Sequence, residues 1–406
     1  MNCRHCGEEL GHVFLDLGFT PPSNAYLTDK QLSELEVYIP LKVLVCDVCW
    51  LVQTKDYSQA NELFTESYAY FSSTSSSWLK HAENYYKMIT EKLQLDIKSL
   101  VVEIASNDGY LLKNFLNHKI NCLGIEPTKS TADAARNIGI PVLQKFFNEE
   151  LACELAEQGK QADLIIGNNV YAHVPDINDF TRGLRQLLKP EGTITLEFPH
   201  VMRLIDLCQF DTVYHEHFSY LSLTTVNTIF SRFDLRIYNV EKLTTHGGSL
   251  RIFACHKNAS IVTQESVVKL MISEQEKGIK SLAYYQGLRK KVERIKNDLL
   301  LFLIDKKNKN EKIVAYGAAA KGNTLLNYAG IKSDLLPVVY DAAEFKQGKY
   351  LPGSHIEIQA PNRMLTSCFD YVLILPWNIK DEIKQQLESS GIEACFVTAI
   401  PHLEII

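Results

Sequence analysis

The sequence lacks a long hydrophobic run, an export signal and an excess of positive charge. No window reaches the roughly 18 consecutive apolar residues of a membrane-spanning helix, and the N-terminus, MNCRHCGEEL, has no basic segment followed by an apolar one. The formal net charge is -6, and the most basic run, KKNKNEK at 306–312, is typical of a solvated loop before a strand. We therefore expect a cytoplasmic protein that neither spans a membrane nor binds nucleic acid.

The length of the chain limits the number of domains. With 406 residues, 46% of them hydrophobic, the chain is too long for one compact core. Residues 1–70 have the pattern of short strands and turns, residues 71–263 alternate strands with helices, and residues 264–406 form a helical run and a second α/β unit. Because strands that alternate with helices indicate mostly parallel, doubly wound sheets, the predicted fold class is α/β, in three parts.

Local patterns predict several individual elements. SLVVEIA (99–105) and PVLQKFF (141–147) have the composition of strands, and residues 77–95 have the pattern of a helix. DFTRGLRQLLKPEG (179–192) is predicted as a helix that Gly192 ends, and residues 264–305 are predicted as a long helical run.

Four of the ten cysteines have the spacing of a metal site. Cys3 and Cys6 lie in CRHC, and Cys46 and Cys49 lie in CDVC. Two such pairs match a tetrahedral zinc site of four thiolates, which leaves no open position for a substrate, so we predict one structural zinc ion. Accidental spacing and a redox-active pair are the less favoured alternatives. The remaining cysteines are interpreted as core or surface thiols: Cys122, Cys153, Cys208, Cys255, Cys368 and Cys395.

The strand-turn-helix segment VVEIASNDGYLL (101–112) lacks the glycines of a dinucleotide site. Only Gly109 is present, and the turn consists of Ala105, Ser106, Asn107 and Asp108. Acidic and amide side chains favour a cofactor without phosphates, such as S-adenosylmethionine, which carries a cationic amino group and a sulfonium. Glu103 would lie near its amino acid portion, and Glu126, in LGIEP, would bind the ribose hydroxyls. An NAD-linked or cofactor-free domain stays open at this point.

The stretch YHEHFSY (214–220) concentrates side chains that handle protons. It could bind a metal, carry out proton chemistry or pack beneath a loop. It is not H-E-x-x-H, because Ser219 stands where the second histidine would be, and the cysteines offer a better zinc site. Proton chemistry is therefore favoured over the other two interpretations.

Several strings, taken together, resemble one family of enzymes. They are CxxC…CxxC, EIASNDGYLL, GIEPT, GNNVYAHVPD, YHEHFSYLS, HGGSLRIF, AYGAAAKGNTLLNY and YLPG. The family is that of three-domain, S-adenosylmethionine-dependent C-methyltransferases that act on nucleotide-linked keto-deoxysugars, and the similarity covers nearly the whole chain. Ala105 departs from the glycine that is usual in such proteins, and we expect alanine to be tolerated unless the position needs a positive φ.

The resemblance implies a domain organisation and a reaction. Residues 1–70 would form a zinc-binding lobe, residues 71–263 a Rossmann-like methyltransferase domain that binds S-adenosylmethionine, and residues 264–406 a second Rossmann-like domain that binds the nucleotide-sugar. The reaction would be methyl transfer to C3 of a 4-keto-6-deoxysugar. The expected cofactor-binding residues are Glu103, Ser106, Asn107, Asp108, Gly109, Glu126, Asn168 and Asn169.

The resemblance also implies the catalytic residues. His217 would be the base, with Tyr214 and Glu216 close to the sugar and Tyr68, in ESYAYFSS, as a further candidate. A sugar carbon must become an enolate before it attacks a sulfonium methyl, and a histidine with an ordinary pKa of about 6.5 suits the removal of a proton next to a ketone. Hydrogen-bond donors must then stabilise the oxyanion, and the candidates are Tyr214, His215 and His173.

HGGSLRIF (246–253) and AYGAAAKGNT (315–324) are predicted to hold the substrate. The second is not a P-loop, because Lys321 precedes Gly322, yet such a turn at a helix start can bind a diphosphate. An ordinary βα turn without a ligand is the alternative. The expected substrate-binding residues are His173, His215, His246, Ser249, Arg251, Tyr316, Lys321 and Asn323.

Three other functions stay open. A methyltransferase that acts on oxygen or nitrogen of a small metabolite would need no enolate, a nucleotide-sugar-binding protein would have no turnover, and an NAD-linked sugar enzyme would bind a different cofactor. The sequence leaves open whether thymidine or guanosine diphosphate carries the sugar, its stereochemistry and the oligomeric state. It indicates no obligate protein partner.

Overall fold

The computed structural model describes residues 1–55 and 71–406. In these ranges the chain forms three β-sheets, of four, seven and six strands. None of the described helices is long and apolar enough to cross a membrane.

The first sheet is antiparallel and belongs mainly to the N-terminal lobe. Its strands, in spatial order, are β1 (His12–Thr20), β2 (Ile39–Val45), β3 (Val52–Thr54) and β9 (Ser219–Tyr220). Strand β9 contains the last two residues of YHEHFSY, so this stretch is attached to the lobe by backbone hydrogen bonds.

The second sheet is mostly parallel. Its strands are β4 (Leu100–Ile104), β5 (Asn121–Ile125), β6 (Val142–Leu143), β7 (Ala162–Asn168), β8 (Leu188–Pro199), β10 (Leu235–Leu243) and β11 (Ser249–His256). Their spatial order is β10-β11-β8-β7-β4-β5-β6, in which β11 runs antiparallel to β10 and β8 and all other neighbouring pairs are parallel. The carboxyl ends of β4, β5 and β7 therefore meet at one edge, where such sheets bind ligands.

Helices accompany this sheet along the chain. They are α1 (Ser76–Leu93), α2 (Leu112–Asn117), α3 (Lys129–Asn137), α4 (Glu149–Glu157), α5 (Ile177–Leu187), α6 (Val201–Asp206) and α7 (Leu223–Arg232). Helix α1 begins after Ser75, whose hydroxyl accepts a hydrogen bond from the backbone N–H of Trp78 at 3.3 Å. Its buried face carries Ala82, Tyr85 and Ile89, at the spacing of one helical stripe.

The third sheet follows three further helices. These are α8 (Glu265–Lys277), α9 (Leu282–Gln286) and α10 (Leu288–Asn308), and the remaining elements are β12 (Ile313–Tyr316), α11 (Ala320–Ala329), β13 (Val338–Tyr340), β14 (Glu357–Gln359), β15 (Tyr371–Ile374), α12 (Lys380–Ser389), β16 (Cys395–Thr398) and β17 (Glu404–Ile405). The spatial order is β14-β13-β12-β15-β16-β17, parallel except for β17. The α/β fold class predicted from the sequence is confirmed.

Some predicted boundaries were wrong. Helix α5 ends at Leu187 and Gly192 lies inside β8, because Pro190 disfavours helical backbone in the residue before it. The predicted strand at 141–147 is reduced to Val142–Leu143, and the helical run after 264 is interrupted after Lys277 by Gly278, whose φ is +88°. The basic run at 306–312 begins within α10 instead of in a loop.

One apolar core extends through all three parts of the chain. It contains Val43 from β2, Phe210 from the middle segment, Leu288 from α10 and Leu325 from α11, each buried. Because the lobe, the middle segment and the C-terminal unit share this core, residues from all three converge beside YHEHFSY.

Candidate active site

The four predicted zinc ligands converge on one point. The sulfur atoms of Cys3, Cys6, Cys46 and Cys49 all lie within 4.8 Å of one another. Cys3 Sγ is 3.4 Å from Cys49 Sγ, and Cys6 Sγ is 3.5 Å from Cys46 Sγ, close to the roughly 3.8 Å expected around a tetrahedral zinc ion. The Gln53 side-chain amide donates to Cys3 Sγ at 3.2 Å, a bond that favours the thiolate. The donor set therefore fits structural zinc.

Each CxxC pair ends in the same kind of turn. The N–H of Gly7 donates to the carbonyl of Cys3, and the N–H of Trp50 donates to the carbonyl of Cys46, both at 3.0 Å. Gly7 and Trp50 have positive φ angles of 82° and 62°. The indole of Trp50 lies parallel to the ring of Tyr285, with centroids 6.2 Å apart.

The predicted donor-binding turn follows β4. Ala105 has a φ of +56°, and its N–H donates to the carbonyl of Ile125 at 2.7 Å. The position therefore requires a positive φ. Alanine was expected to replace glycine here without cost only if a positive φ was not needed, so that condition is not met. Left-handed backbone costs a non-glycine residue roughly 1–2 kcal/mol, so Ala105 is strained. Asn107, at φ +50°, is a residue type that tolerates this conformation better.

The carboxyl edge around this turn is rich in buried acceptors. Glu103 Oε2, Asp108 Oδ1, Asn168 Oδ1 and Asn169 Oδ1 have no hydrogen-bond partner within residues 1–55 and 71–406. Burial, and then the charges of Asp108 and Glu126, raises the pKa of Glu103 well above its ordinary value. Such acceptors fit S-adenosylmethionine, whose amino group is a cationic donor, and these residues would hold it.

Glu126 and Gly109 contribute in different ways. The carboxylate of Glu126 accepts from the N–H groups of Asn107 and Thr128, each at 2.9 Å, and thereby fixes the turn. Its contact with ribose hydroxyls stays a prediction. Gly109 has a φ of +79°, and a Cβ there would lie 2.3 Å from Ile140 Cδ1. The positive φ therefore favours glycine at this position, and a larger residue would also displace the Ile140 side chain.

Residues 71–78 cover the turn. The N–H of Ser72 donates to Asn107 Oδ1 at 2.9 Å, and the N–H of Ser73 donates to Asp108 Oδ2 at 3.0 Å. Ser106 is also buried, beside Gly124. Trp78, which sequence reasoning missed, lies with its ring edge-on to His246 at 5.5 Å.

The loop that begins HGG contacts the donor side. Asn169 Nδ2 donates to His246 Nε2 at 3.2 Å, and burial lowers the pKa of His246 to about 4. The Ser249 hydroxyl donates to the carbonyl of Thr245 at 3.0 Å, within its own turn. The structure therefore brings His246 to the donor edge, whereas Ser249 is used locally.

Arg251 lies in a buried ion-pair network. Its Nε donates to Glu197 at 2.8 Å and its Nη1 donates to Glu241 at 3.1 Å. His81 Nε2 also contacts Glu197, at 2.9 Å. These contacts account for Arg251 without a ligand, so its substrate-binding role stays a prediction that the structure does not support.

His217 is nearly buried, and its orientation is fixed. Its Nδ1 lies 3.0 Å from the carbonyl oxygen of Thr212. Because a carbonyl only accepts, Nδ1 carries the proton, and Nε2 of the neutral ring is the proton acceptor. Burial, followed by the nearby His173, lowers the pKa of His217 well below its usual range. The ring centroids of Tyr214 and His173 lie 4.0 and 4.6 Å from that of His217.

The other two histidines predicted to stabilise an oxyanion are engaged elsewhere. His173 Nδ1 donates to the carbonyl of Glu216 at 2.7 Å, and burial lowers the pKa of His173 to about 4, so its Nε2 carries no proton at neutral pH. His215 Nε2 donates to the carbonyl of Ile39 in the lobe at 3.3 Å. Neither neutral ring has a further N–H to donate, which leaves Tyr214 as the remaining predicted donor.

Glu216 lies beside the N-terminal lobe. Its side chain is 2% exposed, and burial raises its pKa. Asn24 Nδ2 donates to Glu216 Oε1 at 3.1 Å. Asn24 comes from a loop of the lobe and was missed by sequence reasoning, because nothing local marks it.

The turn after β12 forms the C-terminal side of the site. Lys321 Nζ donates to Asn378 Oδ1 at 2.6 Å and lies 4.9 Å from the ring centroid of Trp377. Trp377 Nε1 donates to Asp211 Oδ2 at 2.7 Å, and burial raises the pKa of Asp211 to about 6. Because Asp211 is adjacent to Thr212, these contacts connect Lys321 to the residue that orients His217.

Two further predicted substrate residues lie in this turn and its helix. Tyr316 is a buried residue at the end of β12. Asn323 Nδ2 donates to the carbonyl of Ser23 in the lobe at 3.2 Å, so Asn323 joins two parts of the chain. Tyr68 lies outside the described residues. The roles assigned to these residues stay predictions.

Known proteins match every part of the chain. The family described as C-methyltransferase C-terminal domain matches residues 244–401, a zinc-binding domain family matches residues 3–64, and a methyltransferase domain family matches residues 78–240. The C-methyltransferase NovU of Streptomyces niveus is 31% identical over 408 residues, which cover 100% of this chain and 96% of NovU.

Solved structures resemble only part of the chain. A protein named PH0226 from Pyrococcus horikoshii covers 50% of this chain and 100% of its own, at 13% identity and a TM-score of 0.37. An S-adenosylmethionine-dependent methyltransferase from Anabaena variabilis covers 43% of this chain and 83% of its own, at 15% identity and a TM-score of 0.34. These low TM-scores add nothing to the assignment. Because the match with NovU covers the whole of this chain, the chain belongs to the family of S-adenosylmethionine-dependent C-methyltransferases that carry an N-terminal zinc-binding domain.

Proposed function

We propose that the protein methylates C3 of a nucleotide-linked 4-keto-6-deoxysugar through an enolate, as a step in the synthesis of a branched deoxysugar. S-adenosylmethionine supplies the methyl group as an electrophile. The observation that carries this proposal is the 3.0 Å contact between His217 Nδ1 and the carbonyl oxygen of Thr212, because it places the proton of the neutral ring on Nδ1. Nε2 is consequently available as a base.

His217 removes the proton from C3 of the sugar, and the ketone oxygen acquires the negative charge. The hydroxyl of Tyr214, whose ring centroid lies 4.0 Å from that of His217, is the proposed donor to this oxygen. A neutral imidazole is needed at the start of the reaction, and its lowered pKa keeps it neutral at pH 7.

The two sides of the substrate meet different side chains. Glu216, buried beside the lobe, is proposed to accept a hydrogen bond from a sugar hydroxyl. Lys321, in the turn after β12, is proposed to bind the diphosphate, because its ammonium lies at the start of α11. The division into a lobe at 1–70, a donor domain at 71–263 and a substrate domain at 264–406 is part of the proposal.

The test is methyl transfer from labelled S-adenosylmethionine to thymidine- and guanosine-diphosphate-linked 4-keto-6-deoxysugars, with NMR to locate the new methyl. A C3 methyl on either sugar supports the proposal. A methyl group on oxygen or nitrogen would favour the alternative methyltransferase, and binding of the sugar without transfer would favour a binding protein.

A further inference from the structure

The N-terminal lobe reaches Glu216 through the loop of residues 21–26, which follows β1. Asn24 in this loop donates from Nδ2 to Glu216 Oε1 at 3.1 Å, although the two residues are 192 positions apart in the chain. Glu216 is 2% exposed. A hydrogen bond to a buried carboxylate is among the stronger ones in proteins, because it offsets lost hydration.

The loop is held in place from the C-terminal unit. The carbonyl of Ser23 accepts from Asn323 Nδ2 at 3.2 Å, and the hydroxyl of Tyr26 donates to the carbonyl of Ala318 at 2.7 Å. Thr324, one residue after Asn323, donates from its hydroxyl to the carbonyl of Val213 at 3.0 Å, immediately before YHEHFSY. The first turn of α11 thus fixes both the loop and the segment that carries Glu216.

The two carboxyl oxygens of Glu216 have different surroundings. Oε1 accepts from Asn24, whereas Oε2 is buried and has no hydrogen-bond partner within the described ranges. The backbone carbonyl of Glu216 is also held, by His173 Nδ1 at 2.7 Å. A buried carboxylate oxygen without a partner costs free energy unless a ligand supplies the missing donor.

We propose that Asn24 is a positioning residue for sugar recognition. It holds one oxygen of Glu216 so that the other accepts a hydrogen bond from a hydroxyl of the nucleotide-linked sugar. The zinc-binding lobe is then part of the acceptor site and has a function beyond folding. This inference rests on the proposed function.

The test compares Asn24→Ala with Asn178→Ala. Asn178 also connects the lobe to the rest of the chain, through Nδ2 and the carbonyl of His5 at 2.9 Å, but its contacts do not involve Glu216. Asn24→Ala is expected to raise KM for the nucleotide-sugar about tenfold or more, the value of one hydrogen bond to a charged group, with a much smaller change in kcat and an unchanged Kd for S-adenosylmethionine. Asn178→Ala is expected to lower Tm and leave KM unchanged.

A charge exchange separates positioning from simple packing. Asn24→Asp brings two carboxyl groups together, so KM should rise further, and it should increase with pH as both groups ionise. In Asn24→Asp with Glu216→Gln, the amide introduced at position 216 donates to the carboxylate introduced at position 24, and KM should fall below that of Asn24→Asp and lose its pH dependence. Burial raises the pKa of Tyr220, on which the charge of Glu216 acts, far above 10, so Tyr220 stays neutral as the two carboxyl groups ionise. His173 bonds to the backbone carbonyl of Glu216, and burial lowers its pKa to about 4.

The outcomes are distinguishable. If the wild-type enzyme methylates a nucleotide-sugar and Asn24→Ala changes Tm but not KM, as Asn178→Ala does, the role of Asn24 is overturned and the proposed function stands. An unchanged KM in the charge exchange has the same meaning. If the wild-type enzyme methylates no nucleotide-sugar, both proposals are overturned.

Discussion

Two βα turns of this protein share two backbone hydrogen bonds and carry side chains of opposite charge. The first follows β4 and the second follows β12. In each, the first residue after the strand has a positive φ and donates its N–H to a carbonyl of the neighbouring strand at 2.7 Å, Ala105 to Ile125 and Gly317 to Tyr340. The residue just after each neighbouring strand is acidic, and its carboxylate accepts a hydrogen bond from a backbone N–H of the turn. Glu126 accepts from Asn107 at 2.9 Å, and Asp341 accepts from Ala318 at 2.7 Å.

The side chains added to this common frame differ in charge. The first turn carries the buried carboxyl groups of Glu103 and Asp108. The second carries Lys321 at the start of a helix. A βα turn with these two hydrogen bonds therefore suits a cationic donor in one domain and, as we propose, an anionic diphosphate in the other, because the ligand is selected by the side chains and not by the fold.

The largest expected effect comes from replacing His217, the proposed base. His217→Asn should lower kcat by about 10²–10⁴-fold, the usual contribution of a general base, while the Kd values for both ligands stay unchanged. Single-turnover methyl transfer and calorimetric titration measure these quantities. The control is His118→Asn, which also removes a bond from Nδ1 to a backbone carbonyl, 2.8 Å in length, but on the exposed surface. Near-normal turnover of His217→Asn would remove this residue from its role.

The second effect should be confined to the donor side. Glu126→Gln places a side-chain amide where Asn107 and Thr128 present N–H groups, so the turn should loosen. We expect the Kd for S-adenosylmethionine to rise about tenfold to a hundredfold, with KM for the nucleotide-sugar unchanged. The matched variant, Asp341→Asn, should leave the Kd for S-adenosylmethionine unchanged. Loss of donor binding in both variants would break the comparison.

The third effect should be confined to the second turn. Lys321→Ala is expected to raise KM for the nucleotide-sugar about tenfold, because it removes one charge-assisted contact with the diphosphate. The Kd for S-adenosylmethionine should not change. Lys332→Ala, at an exposed lysine just beyond α11, is the control. An unchanged KM for Lys321→Ala would show that the turn binds no diphosphate.

The pH dependence should report the lowered pKa of His217. The neutral imidazole is the active form, so kcat/KM should fall as the pH falls through the pKa of His217. The midpoint of this acidic limb of the pH profile should lie below the ordinary histidine pKa of about 6.5. Asp211, whose pKa burial raises to about 6, titrates in the same range. The limb should therefore persist in Asp211→Asn. A limb at or above 6.5, or one that disappears in Asp211→Asn, would contradict the assignment.

The smallest effect tests the backbone that the two turns share. Ala105→Gly gives the first turn the residue that the second already has in Gly317, and it should relieve the strain of the positive φ. Because glycine also increases the entropy of the unfolded chain, the net gain should be about 0.5–1 kcal/mol in the free energy of unfolding. Denaturant titration measures it. A loss of stability would mean that Ala105 is not strained.

The sequence predicted what depends on local spacing. The four cysteines were found by their separation within each pair, and the acidic donor turn was found because its side chains lie in one short segment. The positive φ of Ala105 was not predictable, because it depends on the hydrogen bond to Ile125. Asn24 was also missed, since its partner lies 192 positions away and is brought near only by the packing of three domains.

The same difference between local spacing and long-range packing applies to the residues that were predicted to bind the substrate. Arg251 belongs to a sequence segment that carries His246, yet along β11 it reaches Glu197 and Glu241 instead. Both partners lie on the strands next to β11, Glu197 on β8 and Glu241 on β10, so only the sheet pairing could reveal them. Asp211 and Trp377 form a contact between domains that no local pattern marks.

The most direct test of the account is hydrogen exchange at C3 of the sugar. The enzyme is incubated in D₂O with S-adenosylhomocysteine and a nucleotide-linked 4-keto-6-deoxysugar, and deuterium at C3 is followed by NMR. The account predicts exchange with the wild-type enzyme and none with His217→Asn. Methyl transfer to this sugar without any exchange in the wild type, or exchange that persists in His217→Asn, would contradict enolate formation by His217.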